Sequence, residues 1–549
     1  MNKLIECVPN FSEGRDMNII RQIEQAIEGV EGVRLLNTDP GKGTNRTVIT
    51  FVGDENTVVE AAYRAIAKAA ELIDMRKHHG EHPRFGATDV CPFIPIANAT
   101  MEDCIACAKK LGERVGRELN IPVYLYEQAA SAAHRKNLAS VRAGEFEGIA
   151  EKIKSIEWKP DFGPVKWNEK SGNIAIGARD FLVAYNVNLN TTSVRRANSV
   201  AFDVREAGRR GKNDKGEEIN QPGACKAVKG IGWYIPEYGI AQVSMNLTNI
   251  NITPVHMAFD ACVKSAAYRG MRVTGSELIG LIPLRAMLDA GKYFLEKQHR
   301  STGVSEEELI KIAVKSLGLD DLTKFEPGRR IIEYILDEGN SPLVNMTLRK
   351  FADETSSESP APGGGSVAAF AGALGVSLAT MVANLSSHKK GWDDRWKEFS
   401  DYAERGQQIK GQLLKLVDED TRAFNRIMDA YGLPKSNEEE KAKRKRAIQE
   451  ATLYAIEIPF KVMQLSLQSF DIIKPMAEFG NPNSVSDAGV GALCARTAVQ
   501  GAFLNVKINA AGYENKAYVE ERLSKGNEIL KQAIELEKNV LEIVEGKIK

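Results

Sequence analysis

The sequence predicts an α+β amino-terminal half made of two ferredoxin-like (split βαβ) subdomains, followed by an all-α helical-bundle domain. Three observations carry this. Residues 1–180 run in the order β-α-β-β-α-β. The same order returns over 181–337. After residue 345 no stretch shows the apolar/polar alternation of a half-buried strand. The division that follows is 1–180, 181–337, a linker at 338–345 marked by Glu338-Gly339-Asn340-Ser341-Pro342, and 346–549.

In the first subdomain Leu4 to Pro9 reads as a strand, and Asp16 to Val30 has helical spacing through Ile19, Ile20, Ile23, Ala26 and Ile27. Val33 to Asn37 and Thr47 to Val52 read as strands. Asp39-Pro40-Gly41-Lys42-Gly43 is expected to turn the chain between them. Val58 to Met75 is a helix, Asp89 to Ile96 a strand, Glu102 to Leu119 a helix and Val123 to Tyr126 a strand; Trp158 to Ala178 is expected to be a connection. In the second subdomain the strand Phe181 to Leu189 and the helix Ser193 to Ala207 precede a hairpin of Gly230 to Ile235 with Ile240 to Leu247. The helix Pro254 to Tyr268, the strand Val273 to Ile282 and the helix Leu284 to Leu295 follow. The last 200 or so residues carry helical patterns over Trp396–Tyr431, Glu438–Phe479, Val485–Ile508 and Tyr518–Glu545, with Pro434, Pro459, Pro475 and Pro482 ending or kinking them.

Composition narrows the function classes. Lys+Arg and Asp+Glu are both 73 in 549 residues, so the chain lacks the cationic excess of a protein that coats nucleic acid or an anionic membrane. Seven cysteines form no disulfide framework. Glu6 interrupts the apolar core that a signal peptide needs, so a reducing cytoplasm is the expected compartment. Val367 to Leu385 is uncharged, but its Ala, Gly, Ser and Thr content and Asn384 suit a helix buried in a bundle better than a membrane span.

Several clusters bear on chemistry. His78-His79-Gly80-Glu81-His82-Pro83-Arg84 fits the H-x-x-E-H pattern of a zinc site, which requires both histidines one turn apart on a helix. Gly80 and Pro83 oppose that helix, so the segment is expected to be a loop where three histidines, Glu81 and Arg84 converge on a small ligand. Gly41-Lys42-Gly43-Thr44 fails the phosphate-loop pattern, and Asp39 is either a turn cap or a site carboxylate. Cys104 and Cys107 are expected to be two buried thiols in a helix. In the helical half Leu413, Val417, Phe424, Ile427 and Tyr431 form an apolar stripe that Asp420 interrupts, while Asp418 and Glu419 fall outside it. A carboxylate in such a seam is paired or has a raised pKa, which makes Asp420 a candidate acid/base. Pro362-Gly363-Gly364-Gly365-Ser366 opens the small-residue helix, and Lys441 to Arg446 is a basic run on a helix.

The chain resembles the formimidoyltransferase-cyclodeaminases, the two-activity folate enzymes of histidine degradation. The resemblance rests on Glu6-Cys-Val-Pro-Asn-Phe-Ser-Glu-Gly14, Thr44-Asn-Arg-Thr47, Gly80-Glu-His-Pro-Arg84, Asp89-Val-Cys-Pro-Phe-Ile-Pro95, Gly230-Ile-Gly-Trp233, Ala361-Pro-Gly-Gly-Gly-Ser-Val367 and Val417-Asp-Glu-Asp420. It implies transfer of a formimino group from N-formimino-L-glutamate to tetrahydrofolate. It also implies closure of 5-formimino-tetrahydrofolate to 5,10-methenyl-tetrahydrofolate with release of ammonia. It implies His82 as transferase acid/base, Asp39 as its matched carboxylate and Asp420 as cyclodeaminase acid/base. Folate contacts are implied at the segment 163–172, with Gly163, Pro164 and Gly172, and substrate contacts at Asn10 and Arg46. Polyglutamylated tetrahydrofolate is the implied co-substrate, with no metal, and the implied assembly is a homo-oligomer, a ring-like octamer. The chain is longer between Gly211 and Gly223 than animal members, which reads as a loop insertion. Two rival readings make different predictions: a zinc-dependent hydrolase built on His78, Glu81 and His82 would hold zinc, and a non-enzymatic folate-binding protein would bind without turnover.

Overall fold

The computed structural model describes residues 3–42, 44–80, 84–212, 218–337 and 341–548. Two compact units result: 1–286 with 317–335, and 287–316 with 336–549.

The first unit opens with β1 (Leu4–Cys7), β2 (Asn10–Phe11), α1 (Met17–Glu28), β3 (Arg34–Gly41), β4 (Arg46–Gly53), α2 (Thr57–Leu72) and β5 (Thr88–Ala97). β1 and β2 both lie between β4 and β5, so they act as one interrupted strand. All these pairings are antiparallel, and the spatial order β3-β4-(β1, β2)-β5 is that of the ferredoxin-like unit. The Asp16 side chain accepts from Asn18 N at the start of α1, which places the helix where the sequence put it.

Two parts of the first subdomain differ from expectation. Asp39, Pro40 and Gly41 do not turn the chain; they continue β3, with Asp39 opposite Val48 and Gly41 opposite Arg46. The connection from Trp158 contains a strand. After α3 (Met101–Glu118), β6 (Val123–Glu127), α4 (Leu138–Arg142) and α5 (Glu145–Lys152), β7 (Ile174–Ala178) inserts between β5 and β6, parallel to both. It is buried along its whole length, so no alternation marks it in the sequence.

α1, α2 and α3 cover one face of this sheet. Ile5, Cys7, Ile49, Phe51, Cys91 and Phe93 point into that layer. The even positions of the first strand, Glu6, Val8 and Asn10, face the other way, as do Asn37, Asp39, Val48 and Thr50.

The second subdomain repeats the topology. It comprises β8 (Val183–Leu189), α6 (Val194–Val204), β9 (Arg209–Lys212), β10 (Glu218–Gln221), β11 (Val228–Ile235), β12 (Ile240–Leu247), α7 (Val255–Tyr268) and β13 (Val273–Ile279). Its sheet runs β11-β12-β8-β13, again the ferredoxin-like order. The insertion expected between Gly211 and Gly223 is not a plain loop: β9 and β10 pair antiparallel as its two arms.

The helical elements are α8 (Leu284–Lys297), α9 (Glu306–Leu317), α10 (Pro327–Arg330), α11 (Ile332–Asp337), α12 (Leu348–Thr355), α13 (Gly364–Ser387), α14 (Trp396–Gly432), α15 (Glu438–Gln468), α16 (Phe470–Phe479), α17 (Val485–Ala510) and α18 (Lys516–Lys547). The single helix expected over Glu438–Phe479 breaks at Ser469, and Pro459 and Pro475 lie inside α15 and α16. Segment 287–316 folds with the second unit: Thr302 N donates to Ser400 Oγ at 2.9 Å, and the Lys292 ammonium pairs with Glu404.

α13 meets the length and composition of a membrane span, but it is the core helix of the second unit. Ala369, Gly372, Ala373, Val376, Ala379 and Ala383 are buried, and α13 packs on α14 and α17. Its small residues permit that approach: a Cβ on Gly375 would sit 2.8 Å from Gly491 O.

Candidate active sites

The uncovered face of the first sheet forms the floor of a cleft of about 1140 Å³, whose other wall comes from the second subdomain. Asn10, Asp39 and Arg46, three of the residues singled out from the sequence, all line it. Alternation along three neighbouring strands explains the convergence, since residues of one parity share a face.

Asp39 sits where the cleft meets a smaller pocket lined by Glu277 and Arg330. Part of the residue faces solvent, yet the surrounding protein raises its carboxyl above the usual range, with Arg330 opposing and Glu277 adding to the shift. Arg46 is held by Asp89, Nη2 to Oδ2 at 3.1 Å, and burial lowers its pKa to about 10. The same buried Asp89 binds Arg142, whose Nε lies 3.1 Å from Oδ1. One carboxylate thus anchors two guanidiniums at the cleft wall. With Lys136, Arg179 and Lys229 they put five cationic side chains on the lining, beside the acids Glu6, Asp39, Glu127, Glu145 and Asp180, so the cleft presents both signs of charge.

Sequence reasoning gave no site role to Glu6, Tyr126, Arg142, Arg179 or Lys229. Glu6 is 2 % exposed, and burial raises its carboxyl to about 7, with Arg179 lowering it and Glu333 raising it. The signal was present as period-2 spacing: Glu6 and Asn10 share a parity within one strand.

Of the histidine cluster, His78, His79, Gly80 and Arg84 are among the described residues. α2 ends at Leu72, so His78 and His79 are not on a helix. His78 Nε2 donates to Asn45 O at 2.7 Å. Its pKa falls, chiefly through burial, with the Asn45 bond opposing. His79 is exposed, and its carbonyl accepts from Asn45 Nδ2 at 3.0 Å. His78 is thus a buried prop beneath the β3–β4 turn, and neither His78 nor His79 is among the residues lining the cleft. Glu81, His82 and Pro83 lie outside the described residues. The flanks of that segment are fixed. A Cβ on Gly80 would meet Thr44 O at 2.2 Å, and Arg84 Nη1 donates to His78 O at 2.8 Å.

Gly163, Pro164 and Gly172 are not among the residues lining the cleft. Gly163, at φ +85°, packs on Ile121 O and Gly116, and Gly172, at φ +69°, packs on Phe85 O and Gly86. Cys104 and Cys107 are buried thiols raised to about 12 and about 11 by burial.

In the helical unit Asp420 of α14 meets the amino terminus of α13. Ser366 Oγ donates to Asp420 Oδ2 at 3.3 Å and to Val417 O at 2.8 Å. Burial raises the Asp420 carboxyl, while its hydrogen bonds to Ser366 oppose the shift. Asn505 of α17 stands 3.5 Å from where a Gly364 side chain would be. The apolar stripe is less regular than expected. Phe424 and Tyr431 are exposed. Asp418, placed on the polar side by the spacing, is 4 % exposed and accepts from Leu343 N at 2.9 Å and Val344 N at 3.3 Å. It ties the chain before α12 to α14.

Comparison with known proteins adds three matches along the chain: residues 4–179 to the family described as "Formiminotransferase domain, N-terminal subdomain", 184–337 to "Formiminotransferase domain", and 347–528 to "Formiminotransferase-cyclodeaminase". The chain is 43% identical to a formimidoyltransferase-cyclodeaminase of Dictyostelium discoideum, over 100% of both chains. It is 44% identical to a glutamate formimidoyltransferase of Thermoplasma acidophilum over 56% of this chain and 98% of that one. It is 37% identical to a methenyltetrahydrofolate cyclohydrolase of Methylorubrum extorquens over 37% of this chain and 98% of that one.

Proposed function

The chain belongs to the formiminotransferase-cyclodeaminase family, and from that premise we propose how its residues divide the work. It is a bifunctional folate enzyme: it transfers the formimino group from N-formimino-L-glutamate to tetrahydrofolate, then cyclises 5-formimino-tetrahydrofolate to 5,10-methenyl-tetrahydrofolate and releases ammonia.

In our reading the transfer runs in the cleft between the ferredoxin-like subdomains. Folate N5 bonds to the amidine carbon, the bond from that carbon to the glutamate nitrogen breaks, and one proton moves from N5 to that nitrogen. His82 carries the proton, and Asp39 is its carboxylate partner. Arg46, Arg142 and Arg179 hold substrate carboxylates. Gly163, Pro164 and Gly172 contribute to folate binding through the shape of their segment. Cyclisation runs at Asp420: N10 bonds to the same carbon and gives up its proton to the formimino nitrogen. The carboxyl, whose hold on its proton burial strengthens, delivers a second proton to that nitrogen, and the bond from carbon to that nitrogen breaks to release ammonia.

The observation that carries this reading is that each unit holds its own acid at a site, Asp39 lining the cleft and half-buried Asp420 against the start of α13. We further propose the division 1–180, 181–337, 338–345 and 346–549 as the functional one, with segment 287–316 of the second part packed on the helical unit. Polyglutamylated folate, with Lys443 and Arg446 exposed for its tail, a ring-like homo-octamer and a cytoplasmic setting that suits seven free thiols complete the proposal.

The test is the absorbance of methenyl-folate on mixing the full chain with formiminoglutamate and tetrahydrofolate. His82→Ala should lower transfer by roughly 10²–10⁴-fold and leave cyclisation of supplied 5-formimino-tetrahydrofolate intact. Unchanged transfer in that variant would remove His82 from the mechanism.

A further inference from the structure

The cleft floor holds a carboxylate that the assignment above does not use. Glu6 sits on β1 opposite Val52 of β4 and Ile94 of β5, and its side chain projects onto the cleft face. Among the described residues it has no hydrogen bond or ion pair. It caps no helix. An acid held under the surface of a sheet without a partner destabilises the fold, so packing alone gives no reason for it.

The other groups on that face indicate what is missing. The cleft is lined with Arg46, Arg142, Arg179, Lys136 and Lys229, which suit carboxylates, and with the acids Asp39, Glu127, Glu145 and Asp180 besides Glu6. The donor substrate carries two carboxylates and one cation, the formimidoyl amidinium. Asp39 already faces Arg330. Glu6 is the most enclosed acid of the lining, and Arg179 approaches it without pairing.

We propose that Glu6 is the counter-ion of the donor's formimidoyl cation, accepting from N–H groups on both nitrogens of the amidinium through its two oxygens. The inference rests on the transferase reading of the cleft. Such fork-to-fork pairing is strong and directional. It holds the amidine in its protonated form, the form whose carbon is open to attack by N5. It also selects the formimino donor against its neutral isostere, N-formyl-L-glutamate, because the latter leaves a buried charge unmatched. With its pKa raised by burial to about 7, Glu6 must give up part of a proton when the cation arrives. Arg179 after β7 and Glu333 on α11 act on it directly, and the cleft lining adds Asp39 on β3, Arg46 on β4, Tyr126 and Glu127 on β6, Arg142 on α4 and Asp180.

The experiment uses the full chain. Glu6→Gln keeps the shape and removes the charge. Transfer kinetics are measured with formiminoglutamate, and N-formyl-L-glutamate is titrated as a competitive inhibitor. The expected result is a fall of about 10²-fold in kcat/KM for the donor, carried mainly by KM. Inhibition by N-formyl-L-glutamate should be unchanged or tighter, and cyclisation of supplied 5-formimino-tetrahydrofolate should be normal. An unchanged KM overturns the proposal. So does a parallel loss of affinity for donor and formyl analogue, which makes Glu6 a shaping residue only.

A second measurement needs no variant. Calorimetric binding of formiminoglutamate to the wild type near pH 7, in two buffers of different ionisation enthalpy, should show net proton release, and binding of N-formyl-L-glutamate should not. Equal proton release for both ligands removes Glu6 as the charge reader. A wild type that transfers no formimino group refutes the transferase reading itself, whereas normal wild-type transfer with an unaffected Glu6→Gln variant refutes the Glu6 role alone.

Discussion

The carboxylate of Asp420 occupies the space that a side chain on Gly365 would need: a Cβ built there falls 2.1 Å from Asp420 Oδ1. The glycine run that opens α13 therefore admits the acid as well as starting the helix. Gly365→Ala should push the carboxylate off its seat on Ser366. A displacement of about 1 Å costs roughly 10²-fold in rate. Cyclisation of 5-formimino-tetrahydrofolate, followed as methenyl-folate absorbance, should fall by that order while formimino transfer is unchanged. Normal cyclisation in this variant would place the chemistry elsewhere.

Asp420→Asn removes the proton and keeps the shape. Cyclisation should collapse, and 5-formimino-tetrahydrofolate should accumulate from an intact transferase. The sign of the stability effect follows from the raised pKa. A carboxyl whose folded pKa lies above its unfolded value favours the fold while protonated, and that contribution is lost as pH rises through the folded value. Wild-type thermal stability should therefore drop across that range relative to Asp420→Asn, and at pH 7 the variant should melt at the same temperature or higher. A variant that melts earlier at pH 7 would make Asp420 a structural partner.

Asp418 should behave in the opposite way. Its two oxygens receive the amides of Leu343 and Val344, so Asp418→Asn turns one acceptor into a donor facing an N–H. The expected cost is about 1–3 kcal/mol of stability, read as a lower midpoint in a denaturant titration. The folded variant should keep both rates. A melt identical to wild type would show the contact to be dispensable.

Gly80 lies two residues before His82, the acid/base of our reading. With Thr44 O 2.2 Å from a would-be Cβ, Gly80→Ala must move the backbone on one side or the other. Formimino transfer should fall by at least about tenfold, since positioning within roughly an ångström decides proton transfer. Cyclisation should be untouched. Loss of both activities together would indicate general misfolding instead.

Much of the fold was legible because its local signals agree: alternating strands, helices with Asp16 and Ser193 at their starts, and turn residues between. What escaped lacked local signals. β7 is short, buried on both faces and parallel to its neighbours, so it has neither alternation nor a hairpin turn. Asp39-Pro40-Gly41 carries turn chemistry, but β4 supplies the pairing that draws it into a strand. Asp418 was misplaced because its partners lie 74 and 75 residues away in sequence, beyond the reach of any helical wheel. Asp420 could be singled out because an acid among apolar residues is anomalous within its own helix. Glu6 is as anomalous within its own strand, but the floor it belongs to is assembled from strands distant in sequence.

The first strand has a consequence for how this chain can change over time. Along Leu4–Phe11 consecutive residues serve alternate masters: Ile5 and Cys7 fill the helical side, while Glu6, Val8 and Asn10 line the cleft floor. Because the two sets interleave at every step, loss or gain of one residue there would exchange them wholesale, sending a charge into the core and an isoleucine into the cleft. Point substitutions can tune one role at a time, but length variation cannot. This strand should tolerate no indels in a selection for either folding or transfer, while the β9–β10 hairpin, whose arms pair with each other in a sheet of their own, should absorb them freely.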